Sequence, residues 1–271
     1  VTHVMRGEEF VASTPKYIAL YEALEIPQPQ LVTLPPIMGP DGKKKLSKRD
    51  GAKDLLDYRT EGYLPGAMRN FLALIGWNPG GEQELFFGDE LVEKFSLERI
   101  QKSGGAFNEE KLKWMNKEHI AKLPESEQQT YFISALPENT KNLPQYSEER
   151  ARKLASIALE RVHNHVEIQA AAAAGEYDWA FAMPKVPKEL LQWKHDDSYE
   201  QALPRLKNAL KLLENADFGS GEGVKSALWS YAEEVGRGEL LWPLRVALTG
   251  RERSPDPFTC AWILGPDETA A

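Results

Sequence analysis

The sequence predicts a mainly α-helical protein that opens with an incomplete α/β segment. Residues 1–38 follow a strand–helix–strand pattern, and from about residue 121 onward apolar residues recur at helical spacing almost throughout. The alternating pattern and the Asn-Gly turns typical of a β-barrel do not occur in the sequence. A two-stranded sheet does not close a hydrophobic core, so we expect the opening segment to belong to a larger α/β domain.

The opening segment contains two predicted strands and one helix. The first strand lies in "VTHVMRGEEF" and ends at Arg6-Gly7, and the second lies in "LVTLPPIM". Between them, Ser13 or Thr14 can cap a helix that has Pro15 in its first turn. Because a helix connects the two strands, we expect them to be parallel.

Further helices are predicted after residue 54. Asn108 is a candidate N-cap followed by two acidic residues, and Ser147 is a second candidate cap. After Ser147, apolar residues recur at helical spacing: Ala151, Leu154, Ala155, Ile157 and Ala158. A later helix is expected to kink or begin near Pro204, and the Pro-rich residues 184–190 are the most plausible break in the C-terminal half.

The composition indicates an ordinary globular protein of two or three domains. The chain has 271 residues, 42% of them hydrophobic and 27% charged, with a formal net charge of −8. No apolar run approaches the roughly 20 residues that span a bilayer, and the first residues do not resemble a signal peptide. The single cysteine, Cys260, excludes an internal disulfide and a cysteine-based zinc site. We therefore expect a reducing, cytoplasmic setting and no membrane partner.

A basic loop, "GPDGKKKLSKRDG" at residues 39–51, contrasts with the acidic chain. Six basic side chains and one acid lie between Lys43 and Lys53, directly after the second predicted strand. Ligands bind to α/β sheets at such strand ends, and clustered cations suit the charge of a polyphosphate. A Walker P-loop is excluded because position 44 is Lys rather than Gly. A solvated surface loop or a simple nucleic-acid patch remains the alternative.

The motif "KLSKR" within this loop resembles the KMSKS signature of class I aminoacyl-tRNA synthetases. Several longer stretches, in order along the chain, are similar to bacterial-type glutamyl-tRNA synthetases: "VTHVMRGEEFVASTPKYIALYEAL", "GPDGKKKLSKRDGA", "EGYLPGAMRNFLALIGW", "FSLERIQKSGGAFNEEKLKWMNKEHI" and "PLRVALTGRERSPDPFTCAWILG". The loop holds one more lysine before Leu46 than the usual spacing. Either Lys44 or Lys45 therefore takes the role of the first motif lysine.

The resemblance implies a division into four regions. Residues 1–59 would be the second half of a Rossmann-like catalytic domain, and residues 60–120 the region that contacts the tRNA stem. Residues 121–190 and 191–271 would be two helical anticodon-binding subdomains. In this family the first half of the catalytic domain carries a HIGH-like motif that binds ATP, and none of the five histidines lies in that context. The chain therefore resembles the C-terminal portion of such an enzyme.

The resemblance also implies roles for residues near the basic loop. Arg6 would bind the carboxylate of the substrate glutamate, for which a guanidinium has suitable geometry. Glu9 and Phe10 would contact the adenosine of ATP, and Lys48, Lys45 and Ser47 would act on its phosphates. The alternatives are an Arg6 paired with Glu8 or Glu9, and a Phe10 in the hydrophobic core.

Contacts with tRNA are expected from arginines in the C-terminal half and from tryptophans along the chain. Four arginines are candidates for phosphate or base contacts: Arg237, Arg245, Arg251 and Arg253. The alternative is that they are solvated residues at helix ends. Seven tryptophans could stack on unpaired anticodon bases, although most are expected in the core: Trp77, Trp114, Trp179, Trp193, Trp229, Trp242 and Trp262.

The resemblance implies that the parent enzyme is a glutamate–tRNA ligase. It would form glutamyl-adenylate from glutamate and ATP and transfer the glutamyl group to the 3′ end of tRNA-Glu, with tRNA-Gln as a second candidate acceptor. ATP is expected as a substrate with Mg²⁺, without zinc, and the family is usually monomeric. Glutaminyl-tRNA synthetase fits less well because its anticodon-binding part is a β-barrel, and class I lysyl-tRNA synthetase matches the flanking sequence less well. This chain alone is expected to be inactive. The alternative function is a non-catalytic tRNA-binding or adaptor protein.

Overall fold

The computed structural model describes residues 1–47 and 53–271, and it confirms a mainly helical protein with a two-stranded parallel sheet. The strands are β1 (His3–Gly7) and β2 (Gln30–Leu34). The helices of the first half are α1 (Thr14–Ala23), α2 (Leu55–Thr60), α3 (Pro65–Gly76), α4 (Glu90–Lys94), α5 (Glu109–Ala121), α6 (Glu125–Ala135) and α7 (Glu138–Lys141). The later helices are α8 (Glu148–Ala158), α9 (His165–Ala173), α10 (Asp178–Phe181), α11 (Ala202–Leu213), α12 (Gly221–Val235), α13 (Arg237–Thr249), α14 (Pro257–Leu264) and α15 (Pro266–Ala270).

The described residues divide into two compact units. The first comprises residues 1–123 and 163–165, and the second comprises residues 124–162 and 166–271. Within the part of the chain that the structure describes, no helix combines the length and the apolarity needed to cross a bilayer.

The N-terminal segment confirms the predicted parallel strands. Arg6 of β1 lies opposite Thr33 of β2, and β2 ends before Pro35 because prolines lack the N–H that a sheet needs. A 3₁₀ helix, Glu8–Ser13, precedes α1 and was not predicted. Ser13 occupies the N-cap position, but its hydroxyl donates to the carbonyl oxygen of Phe10 at 2.9 Å rather than capping α1. The predicted N-cap position is therefore confirmed, but the capping hydrogen bond does not form, because the 3₁₀ turn places a carbonyl oxygen within reach of that hydroxyl.

No residue of β1, α1 or β2 is buried. Several large apolar side chains of this segment are 38–57% exposed, among them Met5, Val11, Leu20, Leu24 and Leu31. Apolar surface of this extent normally packs against a further layer of structure. The segment thus has the character of a partial α/β domain, as the sequence predicts.

The core of the first unit is formed by α2, α3 and α5 with the strand-like residues before α5. It buries Tyr58, Tyr63, Met68, Phe71, Ile75, Phe107, Leu112 and Met115. Asn108 caps α5 by accepting a hydrogen bond from the Lys111 amide, which confirms that prediction. The buried side chain of Asn116 accepts from the Leu64 amide and donates to the carbonyl oxygen of His163, which ties residues 163–165 to this unit.

The second unit is entirely helical in its described residues. Ser147 caps α8 as predicted, and Pro204 lies in the first turn of α11, which begins at Ala202. Helices α12 and α14 pack through side chains such as Val224, Leu228 and Ile263, all of them 1% exposed or less. This helical packing agrees with the predicted all-helical C-terminal region.

Candidate functional site

Arg6 lies at the end of β1 between two aromatic side chains. Its guanidinium carbon is 5.0 Å from the ring centroid of Phe10 and 4.9 Å from that of Tyr17. Both rings are 43% exposed, so Phe10 is not a core residue in this unit. Among the described contacts, no ion pair joins Arg6 to Glu8 or Glu9. The guanidinium edge can therefore meet a carboxylate while its faces contact the two rings.

A small cleft adjoins Arg6. It has a volume of about 90 Å³ and is lined by residues of β1, β2 and the intervening helical turns, including Val4, Phe10, Tyr17, Tyr21 and Thr33. The cleft has one cationic group against apolar and aromatic walls. That combination suits a small ligand with an anionic end, since a few placed polar groups orient a ligand in a mostly apolar pocket.

The basic loop starts as a tight hairpin. The Gly39 amide donates to the Lys44 carbonyl oxygen at 2.7 Å, and the Leu46 amide donates to that of Ile37 at 2.8 Å. Gly42 adopts a φ of 68°, a left-handed conformation that favours glycine at this turn. Lys43 and the two lysines after it are exposed, so the turn presents their ammonium groups to solvent.

Lys45 brings the basic loop close to the strand end that carries Arg6. Its Nζ lies 3.7 Å from Glu9 Oε1, and both side chains are more than half exposed. Such an exposed pair contributes at most about 1 kcal/mol, so its importance is positional. Ser47 is half-buried at the end of the described part of the loop, and the predicted Lys48 lies outside the described residues.

The base of the loop pairs with the segment before α5. The Met38 amide donates to the Gly105 carbonyl oxygen at 3.0 Å, and the Phe107 amide donates to the Met38 carbonyl oxygen at 2.9 Å. A Cβ on Gly104 would lie 2.3 Å from the Pro36 carbonyl oxygen, and one on Gly105 would lie 2.4 Å from that of Ile75. Both contacts are to backbone atoms, so this close approach requires glycine at both positions.

At the far end of the loop, Lys53 makes contact with two helical segments. Its Nζ donates to Glu61, directly after α2, and to Glu109 of α5 at 3.0 Å each, and it lies 5.3 Å from the Tyr58 ring centroid. Burial by itself would lower the pKa of Lys53, but the hydrogen bonds to the two carboxylates outweigh it and raise the pKa well above its ordinary value.

Two of the predicted tRNA-contacting arginines stack on tryptophans in the second unit. Arg237 lies 4.5 Å from the ring centroid of Trp229 and pairs with Glu233 at 2.7 Å. Arg245 lies 4.8 Å from that of Trp242 and donates to the carbonyl oxygen of Glu252. These contacts hold each guanidinium in one orientation.

The other two predicted arginines border a cleft of about 600 Å³ in the second unit. Arg251 donates to the carbonyl oxygen of Gly175 at 2.6 Å, whereas Arg253 is exposed. Arg161 lines the same cleft and was missed by the sequence analysis, because its position on the chain is about 90 residues away. Glu167 and Glu176 line the cleft as well, so its charge is mixed, and an anionic ligand would have to bind on the side of the arginines.

The tryptophans separate into core and partly exposed residues. Trp77 and Trp179 are only 2% and 3% exposed, so they cannot stack on a base in this conformation. Trp114 is 37% exposed. The remaining four are half-buried: Trp193, Trp229, Trp242 and Trp262.

Two protein families match successive parts of the chain. Residues 1–114 match the catalytic domain of class I tRNA synthetases (E and Q), and residues 106–271 match an anticodon-binding domain. The glutamate–tRNA ligase of Clostridium botulinum strain Okra is 37% identical over 273 residues, which cover 99% of this chain. This chain belongs to the glutamyl-tRNA synthetase family. A glutamate–tRNA ligase of Clostridium kluyveri is 36% identical to this chain over 274 residues, which cover 99% of this chain.

Solved structures support the same family. The crystal structure of a glutamate tRNA ligase from Elizabethkingia meningosepticum in complex with its amino acid matches with a TM-score of 0.77, at 30% identity, over 100% of this chain and 55% of that one. A glutamate-tRNA synthetase from Elizabethkingia anophelis matches with a TM-score of 0.73 at 29% identity, over 99% of this chain and 55% of that one. The chain spans about half the length of the synthetases it matches, namely 54% of the two Clostridium enzymes.

The structure adds residues that the sequence analysis missed. Tyr17 joins Phe10 around Arg6, and no sequence signal linked the two, because Phe10 lies in the unpredicted 3₁₀ helix before α1. Lys53, Glu61 and Glu109 had no such signal, since their contact joins residues up to 56 positions apart.

Proposed function

We propose that this chain is part of a glutamate–tRNA ligase. The whole enzyme would activate glutamate with ATP to glutamyl-adenylate, and then transfer the glutamyl group to the 3′ end of tRNA-Glu. The observation that carries the proposal is the contact between Lys45 and Glu9, at 3.7 Å. It brings the strand end bearing Arg6 and the lysine loop into one place, as a reaction between an amino acid and ATP requires.

The proposed chemistry assigns a separate set of residues to glutamate, to the adenosine of ATP and to the phosphates of ATP. The Arg6 guanidinium would hold the carboxylate of glutamate, while Glu9 and Phe10 would contact the adenosine of ATP. Lys45, Ser47 and Lys48 would stabilise the negative charge that develops on the departing pyrophosphate. These groups position and stabilise the reactants, and the attacking nucleophile is the α-carboxylate of the substrate itself.

Mg²⁺ would arrive as part of the ATP substrate. Among the residues that the structure describes, no group of three or more His, Cys, Asp or Glu side chains could hold a metal ion. A substrate-borne ion fits this arrangement, because Mg²⁺ keeps several waters and binds mainly through phosphate oxygens.

The second unit would bind the anticodon part of tRNA. Its match to an anticodon-binding domain and its clefts and stacked arginines support this role. We keep the division into residues 1–59, 60–120, 121–190 and 191–271 as a proposal for the catalytic, stem-contact and two anticodon-binding regions. A monomeric state, a cytoplasmic location and the charging of tRNA-Gln in addition to tRNA-Glu remain predictions.

The test is aminoacylation by the full-length protein that contains this chain. We expect it to attach glutamate to tRNA-Glu, and we expect the 271-residue chain alone to bind tRNA without forming glutamyl-adenylate. Assays with tRNA-Gln in parallel would establish the tRNA specificity. A full-length protein that binds tRNA but never charges it would support the adaptor alternative and contradict the ligase proposal.

A further inference from the structure

Described residues on either side of the basic loop attach to the same short stretch of chain, residues 104–109, which we call the anchor segment. Before the loop, Met38 exchanges two hydrogen bonds with Gly105 and Phe107. After the loop, Lys53 donates to Glu109 at 3.0 Å. The chain is therefore held by the anchor segment both before and after the loop.

The attachment of Lys53 is stronger than an ordinary surface ion pair. Its side chain is only 34% exposed and meets two carboxylates, Glu61 at 2.9 Å and Glu109 at 3.0 Å. The ring of Tyr58 lies against the same ammonium group. Hydrogen bonds between two charged partners are about twice as strong as neutral ones, and a network of several partners loses less to solvent.

We propose that Lys53 is a positioning residue, which with Glu61 and Glu109 anchors the chain that follows the basic loop to α2 and α5. The inference rests on the proposed function, since its purpose is to place the loop lysines against the triphosphate. Electrostatic stabilisation of a transition state depends on pre-arranged charges, and small displacements of such charges slow the reaction. Lys53 acts through the loop and touches neither glutamate nor ATP.

The test uses Lys53→Met in the full-length protein, assayed by glutamate-dependent ATP–pyrophosphate exchange with tRNA-Glu present. We expect kcat to fall about tenfold, which corresponds to about 1.4 kcal/mol, with the KM for glutamate unchanged. Lys53→Arg keeps the charge and should retain most of the activity. Lys141→Met is the matched control, because it removes a lysine that pairs with Glu138 on α7 of the second unit.

The possible results distinguish a positioning role of Lys53 from a loss of folded protein and from a failure of the proposed function. A Lys53→Met enzyme with wild-type kcat would overturn the positioning role, as would a loss of kcat that only matches a loss of folded protein. If Lys53→Met does not fold, Glu109→Gln decides, since it keeps the size and an acceptor oxygen and should lower kcat severalfold. An unchanged kcat in that variant overturns the role as well. Failure of the wild-type protein to attach glutamate to tRNA-Glu would instead refute the proposed function itself.

Discussion

At the scale of single residues, Arg6 combines a charge with a fixed orientation. The Phe10 and Tyr17 rings lie 5.0 and 4.9 Å from its guanidinium carbon. Stacking leaves the planar edge, with its N–H donors, available to a ligand. A lysine would keep the charge but would lose both the planar edge and the stacking.

Replacing Arg6 by lysine in the full-length protein should therefore weaken glutamate use selectively. We expect kcat/KM for glutamate to fall about tenfold or more, since a hydrogen bond to a charged group contributes about 1.5–3 kcal/mol. The KM for ATP should stay close to that of the wild type. Arg152→Lys, on an exposed pair of α8, is the matched control. An unchanged KM and kcat for glutamate in Arg6→Lys would remove Arg6 from the binding site.

His119 is a buried residue that links stability to pH. Its Nε2 lies 3.2 Å from Asn70 Oδ1, which also accepts from the Phe86 amide. Burial, followed by the nearby charge of Arg69, lowers the pKa of His119 below its ordinary value of 6.5. The unfolded chain therefore binds a proton at His119 more readily than the folded chain does. The stability contributed by the neutral, buried His119 is fully present above pH 6.5 and is lost as the pH falls below that value.

Replacing His119 by glutamine should reduce this pH dependence. We expect the drop in melting temperature between about pH 7.5 and about pH 5.5 to be smaller in His119→Gln than in the wild type, measured by calorimetry. His195→Gln, at an exposed position, should behave like the wild type. Equal drops in all three proteins would show that His119 does not titrate on unfolding.

At the scale of elements, the connection between the basic loop and the anchor segment depends on backbone proximity. A Cβ on Gly105 would lie 2.4 Å from the Ile75 carbonyl oxygen, so alanine there must displace the end of α3. A Cβ on Gly76, the residue after Ile75, would have no atom of another part of the chain within 4 Å. Alanine at Gly105 and alanine at Gly76 therefore compare a crowded position with an open one at the same helix end.

Gly105→Ala should destabilise the first unit by about 1–3 kcal/mol, the usual effect of forcing atoms into a packed site. Gly76→Ala should be neutral or stabilising by up to about 1 kcal/mol, because alanine restricts the unfolded chain more than glycine does. Denaturant unfolding of both variants measures the difference. Equal free energies of unfolding in the two variants would mean that the anchor segment can move away from α3 without loss of stability.

Local signals predicted the elements well, and long-range contacts were not predictable. The caps at Asn108 and Ser147 and the parallel strands follow from residue type and spacing, and the structure confirms them. The Ser13 cap failed because a 3₁₀ turn, which has no clear sequence pattern, supplied a competing acceptor. The contact of Lys53 with Glu109 depends on tertiary packing, so a single sequence could not reveal it.

At the scale of the whole molecule, the net negative charge of the second unit opposes the binding of a polyanion. Acidic residues outnumber basic ones in the second unit, although that unit matches an anticodon-binding domain. Binding to a polyanion must therefore come from local groups such as Arg253 at the cleft, while the overall charge opposes it. Not every arginine is free for this role, since Arg150 donates to the carbonyl oxygens of Ala180 and Leu264 within the fold.

Affinity for tRNA should accordingly fall as salt rises. We expect Arg253→Ala to weaken tRNA binding and to reduce the slope of log K against log salt by up to about 0.9, the value for one phosphate contact. Its melting temperature should not change. Arg152→Ala should leave binding unaltered, whereas Arg150→Ala should lower the melting temperature. Salt-independent binding, or an Arg253→Ala variant with wild-type affinity, would contradict a local, cationic mode of tRNA binding.

The central claim is that the strand end with Arg6 and the lysine loop together hold glutamate and ATP. The most direct measurement is a structure of the full-length protein with both ligands bound. We predict guanidinium nitrogens of Arg6 within about 3 Å of a glutamate carboxylate, and loop ammonium groups within hydrogen-bonding reach of the triphosphate. A triphosphate bound away from Lys45 and its neighbouring lysines, with the glutamate carboxylate far from Arg6, would contradict the claim.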